Sequence, residues 1–164
     1  MVSGSLIKVE KQGRHRYYSF ANAEVAYVVE AMANLVRDDT ADKPDKALPK
    51  KGVRYCRSCY DHLAGYVGVT ITEAMIRKDY LSRSENDFFV TEKGWEFYAQ
   101  LVIIESELSK SNRPLTRQCL DWSERFPHLA GQLGAVFFEK TLQNNWFKKV
   151  QFSRELIVTG KGSQ

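Results

Sequence analysis

No apolar run in this chain approaches the ~18 residues that a membrane-spanning helix requires. The opening Met1-Val2-Ser3-Gly4-Ser5 lacks a charged segment followed by a long apolar stretch, so it does not read as a secretory signal. Cysteine is scarce: three residues in 164, an odd number that does not suit a complete disulfide framework and fits reduced thiols in the cytoplasm. A strong excess of one charge is also missing. Lys and Arg number 24 against 20 Asp and Glu, a net +4, which permits nucleic-acid binding without demanding it. There is no Gly-rich phosphate loop, no nucleophile elbow, no His-Glu-x-x-His and no Ser/His/Asp arrangement. The chain therefore does not read as an enzyme. What is present is an ordinary globular balance, 43% hydrophobic, 27% charged and 12% aromatic, enough for one domain or two small ones.

The first structured stretch is a β-hairpin signal. Leu6-Ile7-Lys8-Val9 is β-prone, Gln12-Gly13 supplies a turn, and Arg16-Tyr17-Tyr18-Ser19-Phe20 is β-prone again. Lys8, Lys11, Arg14 and Arg16 oppose Glu10 alone, with His15 beside the tip. Such a hairpin either is a solvated surface element or grips nucleic-acid phosphates. Asn22 then suits a helix cap, and Val25, Val28, Val29, Met32 and Val36 fall on one helical face. That face packs within the chain or against the same helix of a second copy. Residues 38–52, with both charge signs, two prolines and a closing glycine, read as a linker.

Beyond it the sequence repeats. His62-Leu63-Ala64-Gly65-Tyr66-Val67-Gly68 returns as His128-Leu129-Ala130-Gly131-Gln132-Leu133-Gly134. Val90-Thr91-Glu92-Lys93-Gly94 returns as Val158-Thr159-Gly160-Lys161-Gly162, and Cys59-Tyr60-Asp61 as Cys119-Leu120-Asp121. The two copies span about 54–101 and 115–162 within a region 53–164. Each is read as a helix carrying the Cys-x-Asp, a second helix after the paired glycines, and a short hairpin. The paired glycines suit a close approach of helix to helix or strand.

Val9-Glu10-Lys11-Gln12-Gly13-Arg14-His15-Arg16-Tyr17-Tyr18, followed by Asn22 and Glu24-Val25-Ala26, resembles the wing and following helix of ArsR/SmtB-type winged helix-turn-helix repressors. Met1 to Ile7 resembles the end of a recognition helix and its link to the wing. The stretches Arg54–Gly65 and Arg113–Gly131 resemble the long carboxy-terminal domain of a subset of these regulators. The resemblance implies a cytoplasmic, homodimeric repressor that binds double-stranded DNA, with Lys8, Lys11, Arg14, His15 and Arg16 on phosphates. It also implies that the helix-turn-helix proper precedes the sequence given. The fold expected is α+β and mostly α: residues 1–37 a wing and dimer helix, then two winged-helix-like repeats of the helix-helix-hairpin kind.

The residues also leave chemistry open. On a helix, Cys56 and Cys59 share a face. They suit a thiol redox protein, or zinc if Cys119, His62 and His128 supply further ligands, or they are buried small apolar residues. If the copies pack about a pseudo-twofold axis, Cys59, Asp61 and His62 approach Cys119, Asp121 and His128. That set suits a small polar effector or a soft metal ion. Equally, Asp61 and Asp121 can cap helices or pair with Arg54, Arg57, Arg117 or Arg125. The density of Tyr55, Tyr60, Tyr66, Trp122, Phe126 and Trp146 fits a ligand pocket or plain core. A ligand-binding or dimerisation module without a DNA role is a further alternative. No cofactor is specified.

Overall fold

Gly13, at φ +59°, turns the chain between strands β1 (Ile7–Gln12) and β2 (His15–Phe20), whose register sets Gln12 opposite His15 and Lys11 opposite Arg16. In the computed structural model, residues 6–22, 24–26, 28, 29, 32, 51–108 and 113–163 are described. The chain forms two units, Met1–Asp45 and Lys46–Gln164. In the first, Asn22 follows the hairpin and its Oδ1 accepts a hydrogen bond from Val25 N at 2.9 Å, capping helical residues that include Glu24, Val25 and Ala26. Ala26 is buried, whereas Val28, Val29 and Met32 are exposed. Val36 lies outside the described residues.

The second unit opens with a hairpin of β3 (Arg57–Cys59) and β4 (His62–Ala64), followed by α1 (Gly65–Arg77). A second hairpin, β5 (Leu81–Arg83) with β6 (Phe88–Val90), leads to α2 (Glu92–Gln100) and the short α3 (Glu105–Leu108). The order hairpin–helix–hairpin then recurs as β7 (Arg117–Leu120) and β8 (Pro127–Ala130), α4 (Gly131–Gln143), and β9 (Phe147–Lys149) with β10 (Leu156–Val158). Among the described residues every sheet is two-stranded and antiparallel.

This overturns the mostly-α expectation. The described residues are 34% helix and 29% strand, a mixed α/β fold with short antiparallel strands. The stretches carrying Cys-x-Asp are hairpins, not helices, so the helix-helix-hairpin repeat is replaced by hairpin–helix–hairpin. The physical reason is local. Tyr60, at φ 55°, takes the left-handed conformation that a helix interior forbids, and the two-residue turn Tyr60-Asp61 sets Cys59 opposite His62.

Corresponding sequence anchors adopt corresponding structures. Both helices stop the same way. Asp79 and Asn145 sit at φ 60° and 57°, Tyr80 N donates to Met75 O, and Trp146 N to Thr141 O, closing a left-handed helix end that Asp and Asn tolerate. Thr91 accepts from Gly94 N at 2.9 Å and Thr159 from Gly162 N at 3.1 Å. The glycines after β4 and β8 are sterically required. A Cβ on Gly68 would stand 2.7 Å from Leu63 O, and one on Gly134 2.6 Å from Leu129 O, so each helix lies directly on the strand before it.

The two halves are interleaved. One core cluster joins Met75, Leu81, Phe88 and Tyr98 to Leu129, Leu133 and Phe137. A second joins Cys56 and Leu63 to Phe138, Phe147 and Leu156. The backbone exchange is reciprocal: Ser58 N donates to Arg154 O, and Gln118 N to Asn86 O. Each first hairpin thus docks on the second hairpin of the other half.

Candidate functional site: a buried Cys/His cluster and a basic hairpin

The docked hairpins β3–β4 and β7–β8 bring their ends together. In each, a cysteine faces a histidine across the ladder: Cys59 opposite His62, and Cys119 opposite His128. Ala64 and Ala130 pack with Cys59 and Cys119 in one small cluster; side chains this small let the hairpins approach. Cys59 Sγ lies 4.0 Å from Cys119 Sγ, and His62 Nε2 lies 3.1 Å from His128 Nε2. One ligand atom from each of the four residues lies within 4.8 Å of the others, and all four residues are buried.

Behind each imidazole stands a carboxylate from the same hairpin. Asp61 Oδ1 is 3.2 Å from His62 Nδ1, and Asp121 Oδ2 is 3.4 Å from His128 Nδ1. The second contact is long, and His128 Nδ1 has no closer partner. Behind each carboxylate stands an arginine from the other half. Arg113 Nη2 donates to Asp61 Oδ1 at 3.1 Å, and Arg57 Nη2 to Asp121 Oδ2 at 2.8 Å. Asp121 Oδ2 also accepts from Gly65 N, the first residue of α1, at 2.7 Å. Its Oδ1 holds the loop after β7 by accepting from Ser123 N and Oγ at 2.9 and 2.8 Å. Arg57 lies over the Trp122 ring at 4.7 Å.

The electrostatics follow. Burial, the largest single effect, raises both carboxyl groups, but the opposing effects together outweigh it and bring each down to about 2: for Asp61 the His62 hydrogen bond and Arg113, for Asp121 the Arg57 charge and hydrogen bond and the Gly65 N–H. The Cys59 thiol is pushed up to about 12, first by its hydrogen bond with Cys119 and then by burial, against the lowering effect of both histidines. Burial lowers His128, whereas His62, though equally desolvated, is raised because Asp61 holds it more closely than Asp121 holds His128.

Of the six residues expected at an effector site, the structure gathers Cys59, His62, Cys119 and His128. It sets Asp61 and Asp121 one step back, each against its own arginine rather than against the other. The pairing of Asp121 with Arg57 was among the alternatives open in the sequence. Arg113, which lies upstream of the second copy, carried no spacing signal. Cys56 departs from the set. It precedes β3, packs with Leu63, Phe138, Phe147 and Leu156, and its thiol is pushed up to about 12 mainly by burial. Cys56 and Cys59 therefore do not share a helical face, and both lack the accessible, low-pKa character of a redox thiol. A cavity of about 290 Å³ lies between α1 and α4 against Tyr80, Phe97 and Trp146; of the six aromatics singled out in the sequence, only Trp146 lines it.

On the hairpin of the first unit, Lys8, Lys11, Arg14, His15 and Arg16 are all exposed. Lys11 and Arg16 stand directly opposite each other, and like charges so placed repel. An anion between them would relieve that repulsion.

The chain is 35% identical over 162 residues to the HTH-type transcriptional regulator YdfF of Bacillus subtilis (strain 168), a match that covers 99% of this chain and 72% of the relative. The chain belongs to the HTH-type transcriptional regulators. No family model matches it, and no solved structure matches it. Among the described residues no helix is long and apolar enough to cross a membrane.

Proposed function

We propose that the chain is an ArsR-type transcriptional repressor of the cytoplasm, whose β1–β2 hairpin is the wing that holds DNA phosphates. Residues 1–37 form the wing and dimer helix, 38–52 the linker, and 53–164 a duplicated domain with copies at about 54–101 and 115–162. The observation that carries the reading is the match to a helix-turn-helix regulator over 99% of the chain. The opposed pair Lys11 and Arg16, with Lys8, Arg14 and His15 exposed around it, supports the assignment of the wing. The division between the two compact units, after Asp45, falls inside the linker. Exposure of Val28, Val29 and Met32 supports a homodimer built on that helical face. The 53–164 domain receives the effector at the set formed by Cys59, Asp61, His62, Cys119, Asp121 and His128.

The wing assignment is tested by salt titration of DNA affinity. Lys11→Ala and Arg16→Ala are each expected to weaken binding uniformly across sequences and to lower the salt slope by about 1. An unchanged slope in both variants would remove the hairpin from the interface.

A further inference from the structure

We propose that Cys59, His62, Cys119 and His128 form a tetrahedral binding site for a zinc-class divalent cation that clasps the two halves of the 46–164 unit together. This deepens the effector part of the reading above and relies on that reading only for any consequence on DNA.

Three geometric observations carry it. The first is size. For Zn–S near 2.3 Å and Zn–N near 2.0–2.1 Å, a regular tetrahedron has a sulfur–sulfur edge of about 3.8 Å and a nitrogen–nitrogen edge of about 3.3 Å. The observed separations are 4.0 Å and 3.1 Å. A disulfide would need the sulfurs at about 2.05 Å.

The second is proton placement. Each imidazole directs Nδ1 at a carboxylate, Asp61 or Asp121. With Nδ1 carrying the proton, both Nε2 lone pairs converge at 3.1 Å. Two lone pairs at that distance repel; a proton shared between the rings relieves this in the metal-free form, and a cation held between them relieves it when bound. A carboxylate behind the far nitrogen of each histidine is also the usual support of a zinc-bound imidazole.

The third is charge. Two thiolates balance one divalent ion, and each supporting carboxylate is already balanced by its own arginine, Asp61 by Arg113 and Asp121 by Arg57. The loaded site is neutral in total, which suits four buried ligands. Loading releases the two thiol protons to solvent and changes no oxidation state, so no oxidant or reductant is involved. Two sulfurs and two nitrogens in a tetrahedron favour zinc over the hard oxygen-seeking cations. Four protein ligands, all buried, leave no open position, which is the arrangement of a structural site.

The test is made on the tag-free chain purified under reducing conditions. Elemental analysis is expected to find one zinc per chain after dialysis. Replacement by Co²⁺ alone is expected to give the visible bands of tetrahedral cobalt together with thiolate-to-cobalt charge transfer. Cys56→Ser, outside the cluster, should retain both signals, and Cys59→Ser combined with Cys119→Ser should lose the charge-transfer band. An octahedral cobalt spectrum, absence of bound metal from the wild-type chain, or a metal-free Cys59–Cys119 disulfide as the stable form would overturn the site. The wild-type cobalt spectrum decides even where the double variant fails to fold. DNA affinity is measured separately: a chain that binds one zinc but no DNA would overturn the repressor reading and leave the metal site standing.

Discussion

Arg57 and Asp121 show how much one residue carries in this fold. Their side chains are 1% and 0% exposed, and Arg57 joins the first half of the unit to a loop of the second. Removing one partner of a buried ion pair leaves an uncompensated charge, at a cost of about 3–5 kcal/mol. Arg57→Leu is therefore expected to lower the unfolding free energy read from urea denaturation by that amount, and Arg57→Lys to recover only part of it, because an ammonium lacks the planar face that Arg57 lays over Trp122. Cys56 gives a second prediction at the same scale. With its thiol pushed up to about 12 by burial, almost none is thiolate near neutral pH. Iodoacetamide is expected to leave Cys56 unmodified in the folded chain and to modify it in urea, as read by mass spectrometry of the peptide. Rapid labelling in the native state would contradict its burial.

At the scale of elements, the helix-on-strand contact makes a paired prediction. Gly134→Ala places a methyl 2.6 Å from the Leu129 carbonyl oxygen, and backbone cannot yield as a side chain can. A loss of about 1–3 kcal/mol is expected. Gly160→Ala meets nothing within 4 Å and is expected to stay within about 0.5 kcal/mol of the parent. Equal effects on thermal midpoint would show that the glycines are interchangeable. The same elements show what sequence reading reaches. The hairpin at β1–β2 was legible because six-residue strands flank a glycine turn, and the cap at Asn22 because its signal is local. The Cys-x-Asp stretches read as helix in the sequence because strands of three or four residues are too short to display alternation. Each is also held by a backbone bond to the other half, which its own composition does not announce. The recurrence of cysteine, aspartate and histidine was visible in the chain. That the carboxylates stand behind the imidazoles, and that Arg113 stands behind Asp61, depends on contacts between distant segments that no local pattern encodes.

For the whole molecule, two units with separate tasks predict separable failures. Val29→Glu puts a carboxylate into the proposed dimer seam, where burying an unpaired charge is strongly unfavourable. The variant is expected to run as a monomer in light scattering, with the unfolding of the 46–164 unit unchanged. A monomeric parent chain would instead show that the exposed face of Val28, Val29 and Met32 serves something other than self-association.

The reciprocal docking of the hairpins also bears on how the chain is made. Ser58 finds its backbone acceptor at Arg154, and Cys56 O waits for Leu156 N, so the edge of the first hairpin stays open until Arg154 and Leu156 have left the ribosome. Closing so long a loop is slow compared with forming either helix, and an unpaired strand edge is a site where nascent chains join one another. The order of synthesis thus gives the amino-terminal half a period of exposure that the carboxy-terminal half never has, because the acceptor of Gln118 at Asn86 is already waiting when β7 emerges.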